Sequence, residues 1–253
     1  MHLIRAFVIA FSTYSRIPMP QVEWSEENKR YSMCFFPLVG AAVGLAAAIW
    51  LWLCDTLALG GLLRGAVGAA IPLLVTGGIH MDGFMDTLDA MASWHPREKR
   101  LEILKDTHTG AFAVMGCGLY LLLTAGMLSE LKAPEYAAVG VCFVLSRALS
   151  ALTLTWLPKA KQTGMLSGFA RSAQRWAVTG ACCTLLLGCT FALILPYGWR
   201  GALPLAAAGL CTLYYRRFSA RFFGGLTGDL AGWFVQVTEL ACLTLIMIGG
   251  KLG

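Results

Sequence analysis

Apolar runs of nearly membrane-crossing length recur along this chain from one end to the other, and that recurrence limits its fold more than any motif does. A helix needs roughly 20 residues to cross a hydrocarbon core of about 30 Å. Runs bounded by charged residues or by Pro and Gly fall near 33–54, 61–79, 110–131, 135–157, 176–196, 201–215 and 229–249. The run at 201–215 is short for a crossing; read as re-entrant, it lowers the count from seven to six and moves the C-terminus to the other side. A bilayer core offers no hydrogen bonds to bare backbone, so the spanning options are helices or a closed barrel. Barrel strands would alternate polar and apolar residues over about 10 positions, a pattern absent from the sequence. The expectation is an all-α, polytopic integral membrane helix bundle with about six or seven transmembrane helices plus interfacial helices, forming one membrane-embedded domain over 1–253. Composition agrees, since 57% hydrophobic and 13% charged residues leave too few charges to coat a water-soluble surface. The opening MHLIRAFVIAFSTYSRIPMP has a short apolar run, then Arg16, and no small-residue cleavage site. It reads as a retained interfacial segment rather than a signal peptide.

The basic residues sort by side. With seven crossings, fifteen of the 20 Lys and Arg residues share one face, in groups at 5–30, 97–105, 159–175 and 216–221. The other face has Lys132, Arg200 and Lys251, while Arg64 and Arg147 lie inside apolar runs. Lys and Arg beside helix ends resist translocation, so the fifteen-residue face is expected to be cytoplasmic. Orientation and anionic headgroups account for the net charge of +6 with no nucleic-acid partner. The nine cysteines sit almost wholly in apolar runs, with no CxxC and no histidine at ligand spacing, and read as packing residues.

Chemistry concentrates in three polar islands on the basic face. GGIHMDGFMDTLDA (77–90) sets Asp82, Asp86 and Asp89 at offsets of four and seven. On a helix these lie at about 0°, 40° and 340°, one stripe of three mutually repelling carboxylates. A helix N-terminus accounts for Asp82 but poorly for the other two, which lie beyond the first turn. A hard divalent cation among Asp82, Asp86 and Asp89 relieves the repulsion, with Mg²⁺ expected and Mn²⁺ as its substitute. His80 points roughly opposite the stripe and is as readily an interfacial residue as a substrate contact. The second island, RLEILKDTHTGAF (100–112), carries Lys105, Asp106 and His108. The third, FFGGLTGDLAGWFVQVTEL (222–240), places Asp229 at the start of a run, where it could simply cap a helix, and Glu239 within the run. An ionisable group inside a span is a functional candidate by default, and Arg147 is its expected partner. Carboxylates, basic residues and glycine turns on one membrane face suit a phosphate-bearing substrate. Walker-type loops, GxSxG and HExxH are absent from the sequence, which argues against ATPase, serine-hydrolase and zinc-protease chemistry.

STYSRIPMP (12–20), FFPLVGAAVG (35–44), GGIHMDGFMDTLDA (77–90), ILKDTHTGAF (103–112), LSRAL (145–149) and GGLTGDLAG (224–232) run in that order along the chain. In these segments the sequence resembles the cobalamin synthase family, the adenosylcobinamide-GDP ribazoletransferases. His108 stands where the resemblance implies arginine, and Val235-Gln236 where it implies Gln-Glu. The resemblance implies an enzyme of the bacterial cytoplasmic (inner) membrane with its site facing the cytoplasm. Its implied reaction is Mg²⁺-dependent joining of adenosylcobinamide-GDP to α-ribazole or its 5′-phosphate, releasing GMP. Asp82 and Asp86 would hold the metal with Asp89, and Asp89 is the preferred general base. Lys105 joins the catalytic set. His80, Arg16, Asp106, Arg147, Asp229 and Glu239 would contact substrate, with Lys105, Arg147 and Arg16 as phosphate clamps. The sequence leaves an oligomer open. Two other classes fit parts of the pattern: a CDP-alcohol phosphotransferase, whose Ala-Arg continuation and downstream aspartates are missing here, and a transporter using Arg64, Arg147 and Glu239 as a pathway.

Overall fold

The computed structural model describes residues 2–106, 108–160 and 173–252; Lys161 and Arg171 of the basic face lie outside the described residues. Regular structure among these is helical, apart from one β-bridge between Lys159 and Leu226. Five helices are individually long and apolar enough to cross a membrane: α3 (Ser32–Thr56), α7 (Ala111–Glu130), α8 (Ala133–Trp156), α9 (Arg175–Tyr197) and α11 (Gly228–Leu252). In α8 and α11, 67% and 61% of the apolar window is buried, against 22% in α7 and α9. The first two are therefore the centre of the bundle, and the second two present most of their side chains to lipid.

α10 (Trp199–Phe223) contains the short run at 201–215 and, by length and hydropathy together, is not among the candidate crossings. It is one uninterrupted helix of 25 residues. The apolar stretch stops at Arg216, but the helix continues past Arg216, Arg217 and Arg221, whose long side chains are exposed where the helix leaves the apolar layer. No re-entrant break occurs along α10, which returns beside α11.

α4 (Gly61–Thr76) covers about 24 Å at 1.5 Å per residue. It meets the membrane-span criterion only jointly with α5 (Ile79–Ala92), and the two bend by 100°. Gly77 and Gly78 make the bend with φ of 67° and 80°, left-handed values that side chains disfavour. α5 thus leaves the direction of the spans and lies across one end of the bundle, packed on the N-terminal halves of α11 and α7. The other end joins α3 to α4, α7 to α8 and α9 to α10, and holds Lys132, Arg200 and Lys251. The three short helices, α1 (His2–Tyr14), α2 (Glu26–Lys29) and α6 (Arg97–Ile103), gather at the α5 end.

Close packing between spans runs through small residues, as expected where lipid is as apolar as leucine. A Cβ on Gly44 would lie 2.5 Å from the Gly140 carbonyl oxygen, so α3 and α8 touch backbone to backbone. The nine cysteines are all free thiols, most of them buried or half-buried in this packing.

Candidate active site

The site begins with how α5 is held. A Cβ on Gly83 would sit 2.6 Å from the Asp229 carbonyl oxygen, and one on Gly232 would sit 2.8 Å from that of His80. Only glycine lets α5 and α11 cross this closely, and the crossing sets Asp229 beside Asp82 and Asp86. Thr227 caps α11 by accepting from the Leu230 amide at 3.2 Å, so Asp229 lies in the first turn rather than at the cap. Burial raises the Asp86 carboxyl to about 7, helped by the charges of Asp82, Asp229 and Asp89. Among the described residues neither Asp82 nor Asp86 forms an ion pair.

Asp89 has a different environment from its stripe-mates. Its two oxygens accept from the amides of Gly110 at 2.6 Å and Ala113 at 2.8 Å. A carboxylate on the first amides of a helix is favoured by the dipole and by charge-assisted hydrogen bonds. A Cβ on Gly110 would meet that carboxylate at 2.6 Å. The GAF segment is thus the seat of Asp89, which anchors α7 to α5. Both oxygens of the carboxylate expected as general base and third metal ligand are thus engaged by α7 amides.

Arg147 and Glu239 form the pair expected of them. Arg147 Nη1 donates to Glu239 Oε1 at 2.6 Å and to the Phe143 carbonyl at 3.1 Å, and Ser146 Oγ donates to the same glutamate oxygen at 2.9 Å. Arg147 is 1% exposed and lines no cavity beside the aspartates. Its guanidinium, expected as a phosphate clamp, is engaged inside the bundle, and Glu239, its partner, likewise lines neither of those cavities. Next to them Tyr120 donates to Gln236 at 2.8 Å, a use for the glutamine that stands where glutamate was expected. Arg64 pairs instead with Asp55 at the far end. The intramembrane charges of a transport pathway therefore form separate neutral pairs.

Lys105, Asp106 and His108 lie exposed on the loop before α7. The His108 amide and ring both hydrogen-bond Asp106 Oδ1, at 3.0 and 2.7 Å, and hold that carboxyl below its usual range. None of the three lines the two cavities described next.

Two cavities open beside the aspartates. The smaller, about 220 Å³, lies between α5, α8 and α11 under Tyr14, Phe36 and His80, with Asp82 and Asp229 at its polar end. The larger, about 740 Å³, is a groove along α1, α4 and the bend, lined by Arg16, Gly77 and Asp82. The Arg16 side chain packs on Gly77, where a Cβ would collide with it. Ile79 and Asp82 belong to both cavities, so the two spaces meet at one carboxylate. Tyr14 and Phe36 went unrecognised in the sequence although both stand in motifs quoted for the resemblance, STYSRIPMP and FFPLVG; Ser150, also in the smaller wall, follows LSRAL directly. Among the described residues no three His, Cys, Asp or Glu side chains converge into a ready metal cage. Mg²⁺ does not require one, because it commonly takes one or two carboxylates and completes its shell with water and substrate phosphate oxygens.

The profile of the cobalamin-5-phosphate synthase family matches residues 6–247. The chain is 39% identical to an adenosylcobinamide-GDP ribazoletransferase of Lachnoclostridium phytofermentans over 98% of this chain and 95% of that one. It is 36% identical to the protein of that name in Desulfitobacterium hafniense, over 96% of both chains, and 34% identical to that of Azorhizobium caulinodans, over 94% of both. No solved structure matches. A family profile covering nearly the whole chain, with its motifs gathered around the α5 crossing, places this chain in the cobalamin-5-phosphate synthase family.

Proposed function

We infer that this chain is a membrane transferase of cobalamin biosynthesis that joins adenosylcobinamide-GDP to α-ribazole or α-ribazole 5′-phosphate, yielding adenosylcobalamin or its 5′-phosphate and GMP. The observation that carries the reading is the meeting of two cavities at Asp82, which, like Asp86, forms no ion pair among the described residues. A reaction between two separate substrates needs two such spaces with one reacting position between them. The ribazole 3′-hydroxyl attacks the phosphorus attached to cobinamide, a new P–O bond forms, the bond to the GMP oxygen breaks, and the hydroxyl proton is lost.

The donor set fits a hard divalent cation. Asp82 and Asp86 would hold it, water and substrate phosphate oxygens completing its shell, with Asp89 left on α7. When bound, such an ion neutralises phosphoryl oxygens and eases departure of the nucleotide. Asp82 borders both substrates and is the carboxylate placed to take the hydroxyl proton. Arg16, at the edge of the larger groove, supplies a positive contact for the diphosphate. Asp89 keeps α5 and α7 in register, and Arg147 with Glu239 braces the bundle beneath.

The α5 end carries the basic groups and faces the cytoplasm, and the bilayer is that of the bacterial cytoplasmic membrane. Detergent-purified protein, given adenosylcobinamide-GDP with and without α-ribazole phosphate, should release GMP only when both are present. Release of GMP without an acceptor, or none with both, would refute the reaction.

A further inference from the structure

We propose that the smaller cavity holds the heteroaromatic base of the acceptor nucleoside, with His80 and Ser150 meeting the polar edge of the ring. The proposal rests on the ribazole-transfer reading above and assigns one of its two substrates to a place.

The cavity is built for a flat apolar ring. The His80 imidazole stacks on Phe36 with centroids 5.7 Å apart and planes 27° apart, and on Tyr14 at 6.3 Å and 19°. Tyr14 and Phe36 are themselves 4.4 Å apart, and Leu154 and Ala231 add aliphatic wall. Planar ligands gain from such faces through offset stacking.

Two of the polar side chains lining the cavity lack partners among the described residues. His80 is 5% exposed and Ser150 is 1% exposed, and both line the cavity. Neither ring nitrogen of His80, nor Ser150 Oγ, has a hydrogen-bond partner among the described residues. Buried polar side chains are nearly always paired, so two orphans facing one cavity call for a ligand with a small polar edge. The base of α-ribazole is a benzimidazole, bicyclic and apolar, with one ring nitrogen left free after attachment of the sugar. That nitrogen accepts one hydrogen bond, from His80 or Ser150. Guanine, the base on the other substrate, carries donors and acceptors around most of its rim. Seating it here would leave several of them buried without partners, each at a substantial cost.

Direction follows from the ends of the cavity. With the base under Tyr14 and Phe36, the ribose lies toward Asp82 and Asp229, and its hydroxyl faces the groove that holds Arg16. The corrinoid nucleotide then occupies the larger groove and brings its phosphorus to the shared carboxylate.

The test uses the full chain in detergent with Mg²⁺, in three forms: parent, Ser150→Leu from α8 and Ala231→Leu from α11. Each variant is first checked for a monodisperse peak and a parental melting temperature, and either one that folds suffices. Equilibrium dialysis with α-ribazole and no corrinoid should show binding by the parent weakened by ~10-fold or more in the variants, as for an occluded site that has also lost a hydrogen bond. In steady-state assays the KM for α-ribazole should rise in parallel, with KM for adenosylcobinamide-GDP within ~3-fold. A rise in KM for adenosylcobinamide-GDP alone would place guanine in the cavity and overturn the proposal. Unchanged α-ribazole binding in a folded variant would also overturn it. A parent that binds α-ribazole but never releases GMP would refute the reaction while leaving the cavity assignment standing, so the two failures are told apart.

Discussion

Replacing Arg147 or Glu239 singly should cost far more than replacing both, and the structure sets the size of the difference. The two side chains are 1% and 6% exposed, with 2.6 Å between Nη1 and Oε1. Glu239→Gln keeps an acceptor for Ser146 but leaves a guanidinium buried beside the Phe143 ring and carbonyl with its negative partner removed. Arg147→Met leaves the carboxylate with one neutral donor, Ser146 Oγ at 2.9 Å. Loss of one member of a buried pair costs about 3–5 kcal/mol, because the survivor remains desolvated. For a chain of this length ~1 kcal/mol moves Tm by about 2–4 °C, so each single variant should melt roughly 6–20 °C below the parent. The double variant Arg147→Met/Glu239→Gln carries no uncompensated charge and should recover at least half of the summed loss. Thermal melts of all four proteins in one detergent, run as a double-mutant cycle, measure the coupling. Additive losses within about 0.5 kcal/mol would refute the argument that the pair braces the fold by mutual neutralisation.

Activity should require a divalent cation, and Asp82→Asn and Asp86→Asn should each lower kcat by more than ~100-fold; folded variants within a few-fold of the parent would remove these carboxylates from the cation site. The Asp86 carboxyl, raised to about 7, binds its proton more tightly in the folded than in the unfolded chain. Its contribution to stability in metal-free protein is therefore full below its unfolded value, near pH 4, and lost as pH rises to about 7. Added Mg²⁺ should restore stability above that pH, and a flat pH–Tm profile at fixed low metal would count against the crowding. Asp89→Ala should loosen the start of α7, seen as faster amide exchange at Gly110 and Ala113, and cost about 1–2 kcal/mol as other lost helix caps do. Gly83→Val should abolish activity by forcing α5 off α11, and wild-type turnover in that variant would mean the crossing does not position the carboxylates. Cysteines placed at exposed Lys105 and Arg217 should resist an impermeant thiol reagent added from outside, and ready labelling of either would overturn the orientation.

What the sequence made legible were the features with one physical solution. Apolar runs had to be helices, and their ends came within a few residues, except where α10 carries arginines past the apolar layer. Glu239 and Arg147 could be matched because a charge inside a span needs a partner and each was the other's nearest option. The aspartate stripe was visible from spacing, but spacing cannot show that α7 would bring its first amides to Asp89 from 21 residues away. A helical wheel treats Asp82, Asp86 and Asp89 alike, whereas the fold gives one of them two N–H donors and leaves the others crowded. Gly83 and Gly232 were equally opaque, since a lone glycine in a helix says nothing of which backbone presses on it. The smaller cavity was hidden for a related reason: Tyr14, Phe36 and Ser150 come from three distant segments, and each alone passes for ordinary packing.

Sorting the chain's charges by what already neutralises them narrows the chemistry further than the motifs do. Inside the bundle Arg147 is matched to Glu239, and at the far end Arg64 is matched to Asp55, with Tyr136 donating to the second Asp55 oxygen at 2.6 Å. Asp89 is answered by the α7 amides, and Asp106 by His108. These groups have spent their electrostatic capacity on the fold, and a cation or phosphate arriving at any of them would have to displace a partner already in place. Asp82 and Asp86 have no such ion-pair partner among the described residues, and they stand on the one long helix that turns out of the membrane direction, so they remain within reach of water. Together with Asp229 they concentrate negative charge at the meeting of two cavities while the surrounding loops are basic. A diphosphate would be drawn to this end by the loops and repelled by Asp82 and Asp86, a conflict that the proposed divalent ion would resolve. The same ion would do little at Glu239, where Arg147 already supplies the positive charge. The proposed location of the reaction thus rests on Asp82 and Asp86, the two carboxylates of the α5 stripe that form no ion pair among the described residues.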